Sequence, residues 1–200
     1  MEPLDQLPLA RKTGDERLQV HGQPVSARVL TFWQWAASDL MSNAMRGRFA
    51  EYLVALALGV ADGVRVEWDA YDLQTVSGVK VEVKSAAYLQ RWHQRRPSVI
   101  TFDIHPTLGW TAATNTYSPE RKRQADVYVF ALLAHRDKAT LDPLNLDQWE
   151  FYVLPTTVLD TQLPTQKTIS LGMVRRLGAQ QVQFGTLRSV CEGYTRTTHL

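Results

Sequence analysis

Tyr71-Asp72-Leu73-Gln74-Thr75, Val76-Ser77-Gly78 and Val79-Lys80-Val81-Glu82-Val83-Lys84 together read as two strands joined by a turn. In the second run Val79, Val81 and Val83 point one way while Lys80, Glu82 and Lys84 point the other. A three-residue loop over 76–78, with Gly78 free to take a positive φ, pairs Thr75 with Val79 and therefore Asp72 with Glu82. Directly opposed residues have Cβ atoms about 5 Å apart. Two carboxylates at that distance repel unless a cation lies between them. Lys84, two residues further along the same face, would lie beside that cation. The pattern predicts a divalent-metal site with an attendant lysine.

The rest of the composition is compatible with such a site and announces no other. At 200 residues and 44% hydrophobic content, the chain suits a single domain over 1–200 with a substantial core. The longest apolar run, 52–61, is half the length needed to cross a bilayer, and the N-terminus lacks a basic start followed by an apolar block. One cysteine, Cys191, excludes an intramolecular disulfide framework, fits a cytoplasmic location and reads as a small buried hydrophobe. A formal net charge of +2 is almost neutral, so any nucleic-acid contact must be local. Local basic clusters exist: Arg46 and Arg48; Arg91, Arg95 and Arg96; Arg121, Lys122 and Arg123; and Arg175 and Arg176. The aromatics Tyr88, Trp92, Trp110 and Tyr117 lie near them in sequence, a mixture that holds phosphates and stacks bases. The competing reading is that these are solvated loops.

Along the chain, residues 1–25 are rich in Pro, Gly and charge and read as an irregular arm. Helical spacing predicts a helix over 28–41 and a second over 44–58, capped by Ser42 or Asn43 and stopped by Gly59. Strands are expected at 64–68, 71–75, 79–87, 98–104, 126–133 and 149–154, with 126–133 central because it is apolar throughout. Residues 105–124 read as a long loop or a loop with a short helix, 155–163 as a short helix, and 182–194 as a strand and terminal helix. The order implies a mixed α/β architecture leaning to α+β.

Asp72 followed by Glu82-Val83-Lys84 after a turn, behind a helix bearing Glu51, resembles the restriction-endonuclease-like nucleases of the PD-(D/E)xK superfamily. The resemblance covers the core over 44–134 and implies a central mixed sheet flanked by helices. The residue before Asp72 is Tyr71 where the motif name has proline, a position without a chemical role. The chain also resembles bacterial proteins of no assigned activity that share a Trp-Asp-x-x-Asp…Glu-Val-Lys-Ser block.

The resemblance implies a Mg²⁺-dependent deoxyribonuclease. Asp72, Glu82 and the Val83 backbone carbonyl would hold Mg²⁺, with Mn²⁺ able to substitute. Lys84 would position water and stabilise the phosphate, and Glu51 would support the metal. The basic clusters at Arg46, Arg48, Arg91, Arg95, Arg96, Arg121, Lys122 and Arg123 would grip DNA, and a homodimer is compatible. Two adjacent carboxylates oppose deprotonation of Lys84, which favours electrostatic stabilisation over general-base work. The competing account makes 71–84 a surface hairpin whose carboxylates pair with Lys80 and Lys84, in a non-catalytic DNA- or protein-binding module that keeps the fold. Asp69 ranks below Asp72 because its odd offset faces it away. Asp126 reads as an anchor for Lys122 or Arg123, and His93 and His105 have no partner at metal-ligand spacing.

Overall fold

The computed structural model describes residues 7–66, 70–111 and 116–194. Two compact units emerge, one of Met1–Asp39 with Asp62–Arg65 and one of Leu40–Ala61 with Val66–Leu200. In the first unit, β1 (Arg17–Val20) and β2 (Gln23–Arg28) pair antiparallel and lead into α1 (Val29–Ala37). The arm expected over 1–25 is therefore strand from Arg17 onward. His21 and Gly22 both have positive φ, the backbone a two-residue hairpin turn demands, and Pro24 is tolerated because both strands are edges.

The second unit opens with α2 (Asn43–Leu58). Ser42 Oγ caps it by accepting from the Met45 N–H, and Gly59 ends it in the left-handed conformation at φ +73°. Ala50, Leu53, Val54 and Leu58 are its buried stripe, at the spacing of one helix face. The chain continues through β3 (Leu73–Gln74), β4 (Lys80–Ala87), β5 (Thr101–Asp103), β6 (Thr107–Thr111), β7 (Thr116–Lys122), β8 (Val127–Leu133) and β9 (Trp149–Pro155). It closes with α3 (Thr156–Gln162), β10 (Thr168–Ser170), α4 (Leu171–Arg176), β11 (Gln180–Val182) and α5 (Leu187–Glu192).

Five strands form the main sheet in the order β11-β9-β8-β4-β3. Only the β4–β8 pair is parallel, so the sheet is mixed and the fold is mixed α/β. Every residue of β8 is buried, as its unbroken apolar run predicts. Its alternate side chains feed two cores. Val127, Val129, Ala131 and Leu133 join Val79, Val81 and Val83 against α2 and α5, while Tyr128, Phe130 and Leu132 meet Phe102, Ile104, Leu159 and Ile169. Cys191 is fully buried in the first core, and burial pushes its thiol up to about 12.

Where a loop is expected over 105–124, β6 and β7 form a hairpin. Thr107, Trp110, Thr111, Thr116 and Tyr117 are strand-favouring residues, and Pro119 sits in a two-stranded pair where every strand is an edge. The break in register between Leu108 and Trp110 falls at Gly109, where a Cβ would lie 2.9 Å from the Gln124 side chain. Residues 64–66 have no regular structure, and the rest of the strand expected at 64–68 lies outside the described residues. β10 and α4 have no counterpart among the sequence-based expectations, since both are too short to show a period. Among the described residues no helix is long and apolar enough to cross a membrane.

The turn that sets the site is the 76–78 loop, where Gly78 has φ +89° and the Thr75 N–H donates to the Val79 carbonyl at 2.9 Å. An added Cβ would meet nothing closer than 3.8 Å, so only backbone strain opposes it. Gly78→Ala is expected to lower stability by about 1–2 kcal/mol, read by urea unfolding, because an L-residue is strained in a left-handed backbone.

Candidate active site

Register is the first determinant of the site. Leu73 pairs with Val81 and Gln74 with Lys80, and the ladder ends there; the Asp72 N–H donates to the Val81 carbonyl at 3.2 Å, which keeps Asp72 against β4 just past that end. Glu82 and Lys84 share one face of β4 because they are two residues apart. The Lys84 ammonium donates to Glu82 Oε1 at 2.6 Å, with both side chains mostly shielded from water.

Asp72 lies just beyond the end of β3 and turns its carboxylate toward β4. The Val83 N–H donates to Asp72 Oδ2 at 2.7 Å, which fixes the carboxyl group and leaves Oδ1 for another partner. Val79 and Val81 point their carbonyls toward β3, since these accept from the Thr75 and Asp72 N–H groups. Backbone direction alternates along a strand, so the Val83 carbonyl faces the same edge, past the last residue of β3.

Burial is the largest influence on Asp72, and repulsion from Glu82 and then from Glu51 adds to it. Together they outweigh the Val83 N–H and Lys84 and push the Asp72 carboxyl up to about 7. Glu82 and, on α2, Glu51 are thus both near enough to act on the Asp72 charge. Burial disfavours the Lys84 charge, but the Glu82 carboxylate and then Asp72 and Asp103 prevail, holding Lys84 above the ordinary lysine value. A lysine so held stays protonated at neutral pH and cannot take a proton from water.

Among the described residues, no group of three or more His, Cys, Asp or Glu side chains is arranged to hold a metal ion. The donors that converge are two carboxylates and, by strand parity, one backbone carbonyl. This small hard-oxygen set fits Mg²⁺, which usually keeps several waters and uses one or two carboxylates. Asp69 lies outside the described residues. Asp126, expected as an anchor for Lys122 or Arg123, accepts on its Oδ2 from the Lys80 N–H at 2.9 Å, tying the start of β8 to β4.

The eight basic residues divide sharply. Arg48, Arg91, Arg95, Arg96, Arg121 and Lys122 are exposed to solvent in whole or part. Arg46 and Arg123 are buried, at 5% and 6% exposure, and turn their guanidinium groups into the protein, although Arg46 Nε meets no acceptor among the described residues. Arg46 bonds Gln90 Oε1, Asn43 Oδ1 and the Met41 carbonyl, tying the start of α2 to the segment after β4. Arg123 bonds the carbonyls of Ile104 and Leu163 at 2.8 Å and the Asp160 carboxylate at 2.7 Å. Both serve as struts in this structure, a role their sequence clusters conceal.

Two neighbours of the site are not evident in the sequence. Tyr128 pairs with Glu82 across the parallel β4–β8 ladder and is 3% exposed; burial, then Glu82, raises its hydroxyl well above the usual tyrosine range. Burial also opposes the Asp103 charge, but the His105 N–H and ring and Lys84 outweigh it and hold its carboxyl below the usual range. The alternating strand around Asp103 carries a hint, since its polar face must lie on one side of a buried Phe102 and Ile104.

A family model described as Bacteriophage T4 endonuclease IV matches residues 23–172, which contain the hairpin, α2 and the whole of β8. No curated protein matches the chain.

Asp72 gives the site a pH signature in the absence of metal. A carboxyl near 3.8 when unfolded and about 7 when folded binds its proton more tightly in the native state. Stability is then greatest below about pH 4 and falls as pH rises toward 7. Asp72→Asn keeps an acceptor for the Val83 N–H and removes the charge. In EDTA its melting temperature should exceed that of the wild type at pH 8, and the gap should close toward pH 4.

Proposed function

The chain belongs to the bacteriophage T4 endonuclease IV family, and from that premise we propose that it is a Mg²⁺-dependent deoxyribonuclease of the restriction-endonuclease-like kind. The observation that supports this reading is the nearness of Glu82 to Asp72, whose carboxyl is pushed up to about 7 by burial first and then by the charges of Glu82 and Glu51. A protein keeps such an unfavourable pair where a cation relieves it. Asp72 Oδ1, Glu82 and the Val83 carbonyl would hold the ion, with Glu51 beside them. When bound, a divalent cation polarises the scissile phosphate and lowers the pKa of water.

The remaining roles belong to the chain. The Val83 N–H holds Asp72 so that one oxygen stays aimed at the site. Lys84, kept protonated by Glu82, Asp72 and Asp103, acts as a hydrogen-bond donor and positive charge for the phosphate oxygens rather than as a base. Water adds to phosphorus as one P–O ester bond breaks, and the fixed positive charge meets the negative charge that grows on the phosphate. The solvent-facing residues Arg48, Arg91, Arg95, Arg96, Arg121 and Lys122 would contact flanking phosphates, which position the strand without reading its sequence.

Supercoiled plasmid incubated with Mn²⁺ or Mg²⁺ is the test. The wild type should nick it and EDTA should stop the reaction. Lys84→Ala should slow cleavage by about 10²–10³-fold, the usual cost of losing one preorganised stabilising donor. The same variant should keep the rise in melting temperature that the metal produces, since Lys84 is not a ligand. Cleavage that survives both EDTA and Lys84→Ala would place the chemistry elsewhere. Metal-dependent stabilisation without any cleavage would favour the binding-module reading.

A further inference from the structure

A recess of about 660 Å³ opens between the end of β5, the end of β7 and the segment that leads into β10. His105, Arg121, Lys167, Thr165 and Thr168 line it together with Asp103. Its charge is one-sided. Asp103 is the one acid among the described lining residues, and it is already engaged by the His105 N–H and by the His105 ring. Neither Arg121 nor Lys167 forms an ion pair with a described residue.

The frame of the recess is rigid, which separates it from a chance gathering of surface cations. Thr168 pairs with Asp103 in the β5–β10 ladder, and the Ile104 N–H donates to the Lys167 carbonyl at 2.8 Å. Beneath, the buried Arg123 guanidinium clamps the two walls by bonding the Ile104 carbonyl on one side and the Leu163 and Gln166 carbonyls on the other. Pro106 and Pro164 stiffen the rim. A charged residue buried to hold two segments in place keeps the cations of those segments at a fixed spacing.

We propose that this recess is a second phosphate seat of the nuclease site, in which Arg121 and Lys167 hold a DNA backbone phosphate next to the one that is cut. The proposal rests on the nuclease reading above and adds Lys167, Thr165 and Thr168, which belong to no basic cluster in the sequence. Asp103 joins the two places: it lies at the mouth of the recess and within electrostatic reach of Lys84. A strand with one phosphate at Lys84 would meet the next positive charges there. Two hydroxyls and two cations suit a phosphodiester, which offers acceptor oxygens and one negative charge.

The test is titration of a fluorescein-labelled 20-base-pair duplex in EDTA over a salt series, so that binding is read without cleavage. Wild type is compared with Arg121→Gln/Lys167→Gln and with Lys12→Gln/Arg17→Gln, an exposed pair carrying the same charge change. The first variant should lower the slope of log affinity against log salt by about 0.9 for each phosphate it no longer neutralises, and the second should leave it unchanged. The Mn²⁺-induced rise in melting temperature should be the same in all three proteins. An unchanged slope in Arg121→Gln/Lys167→Gln would overturn the proposal, as would an equal fall in both variants. Calorimetry with inorganic phosphate gives the other arm: binding of the free anion without a change in the duplex slope would make the recess an anion site and overturn its assignment to DNA. Because binding is read without metal, loss of this result is distinct from a failure of plasmid cleavage.

Discussion

Repulsion between the carboxylates of Asp72 and Glu82 is the constraint around which this part of the molecule is arranged. The hairpin brings them near each other: Gly78 closes the turn, Leu73 pairs with Val81, and the Asp72 N–H bonds the Val81 carbonyl. The surrounding groups offset the repulsion only in part. Lys84 pairs with Glu82, and the Val83 N–H pairs with one oxygen of Asp72. Burial is the larger influence, and together with the remaining repulsion it pushes the Asp72 carboxyl up to about 7. The same negative charge keeps Lys84 positive.

The rigidity that holds these groups comes from β8. Its side chains enter both cores, and its parallel pairing with β4 places Tyr128 beside Glu82 and Phe130 beside Lys84. The polar face of β4 thus rests on a wall of buried aromatics, which lowers the local polarity and strengthens every charge interaction there. Arg46 and Arg123 complete the frame from either side. Each gives up solvent to bind backbone carbonyls and polar side chains, a use of arginine that stabilises only when most of its donors are satisfied.

Local patterns with a sharp period are legible in the sequence. The strict alternation of 79–84 together with Gly78 yields the hairpin register, Ser42 and Gly59 mark the ends of α2, and the unbroken apolar run marks β8. Pro and Gly mislead where they are read as breakers. Pro24 and Pro119 sit on strands of two-stranded pairs, in which an edge position spares the missing N–H. Burial of charge is equally hidden: Arg123 follows Arg121 and Lys122 directly, yet only the fold shows that it points inward while its neighbours point out. Asp103 and Tyr128 escape notice because they come near Lys84 and Glu82 from two other strands, and no spacing within one segment records that meeting.

The central claim is that Asp72 and Glu82 are held in mutual repulsion for a cation to relieve. Carbon-13 NMR of the Asp72 carboxyl, titrated with pH in EDTA and again in millimolar Mg²⁺, tests it most directly. The account predicts a midpoint of about 7 without metal and a large downward displacement when Mg²⁺ is present. A midpoint in the ordinary carboxylate range in EDTA, unmoved by Mg²⁺, would contradict it.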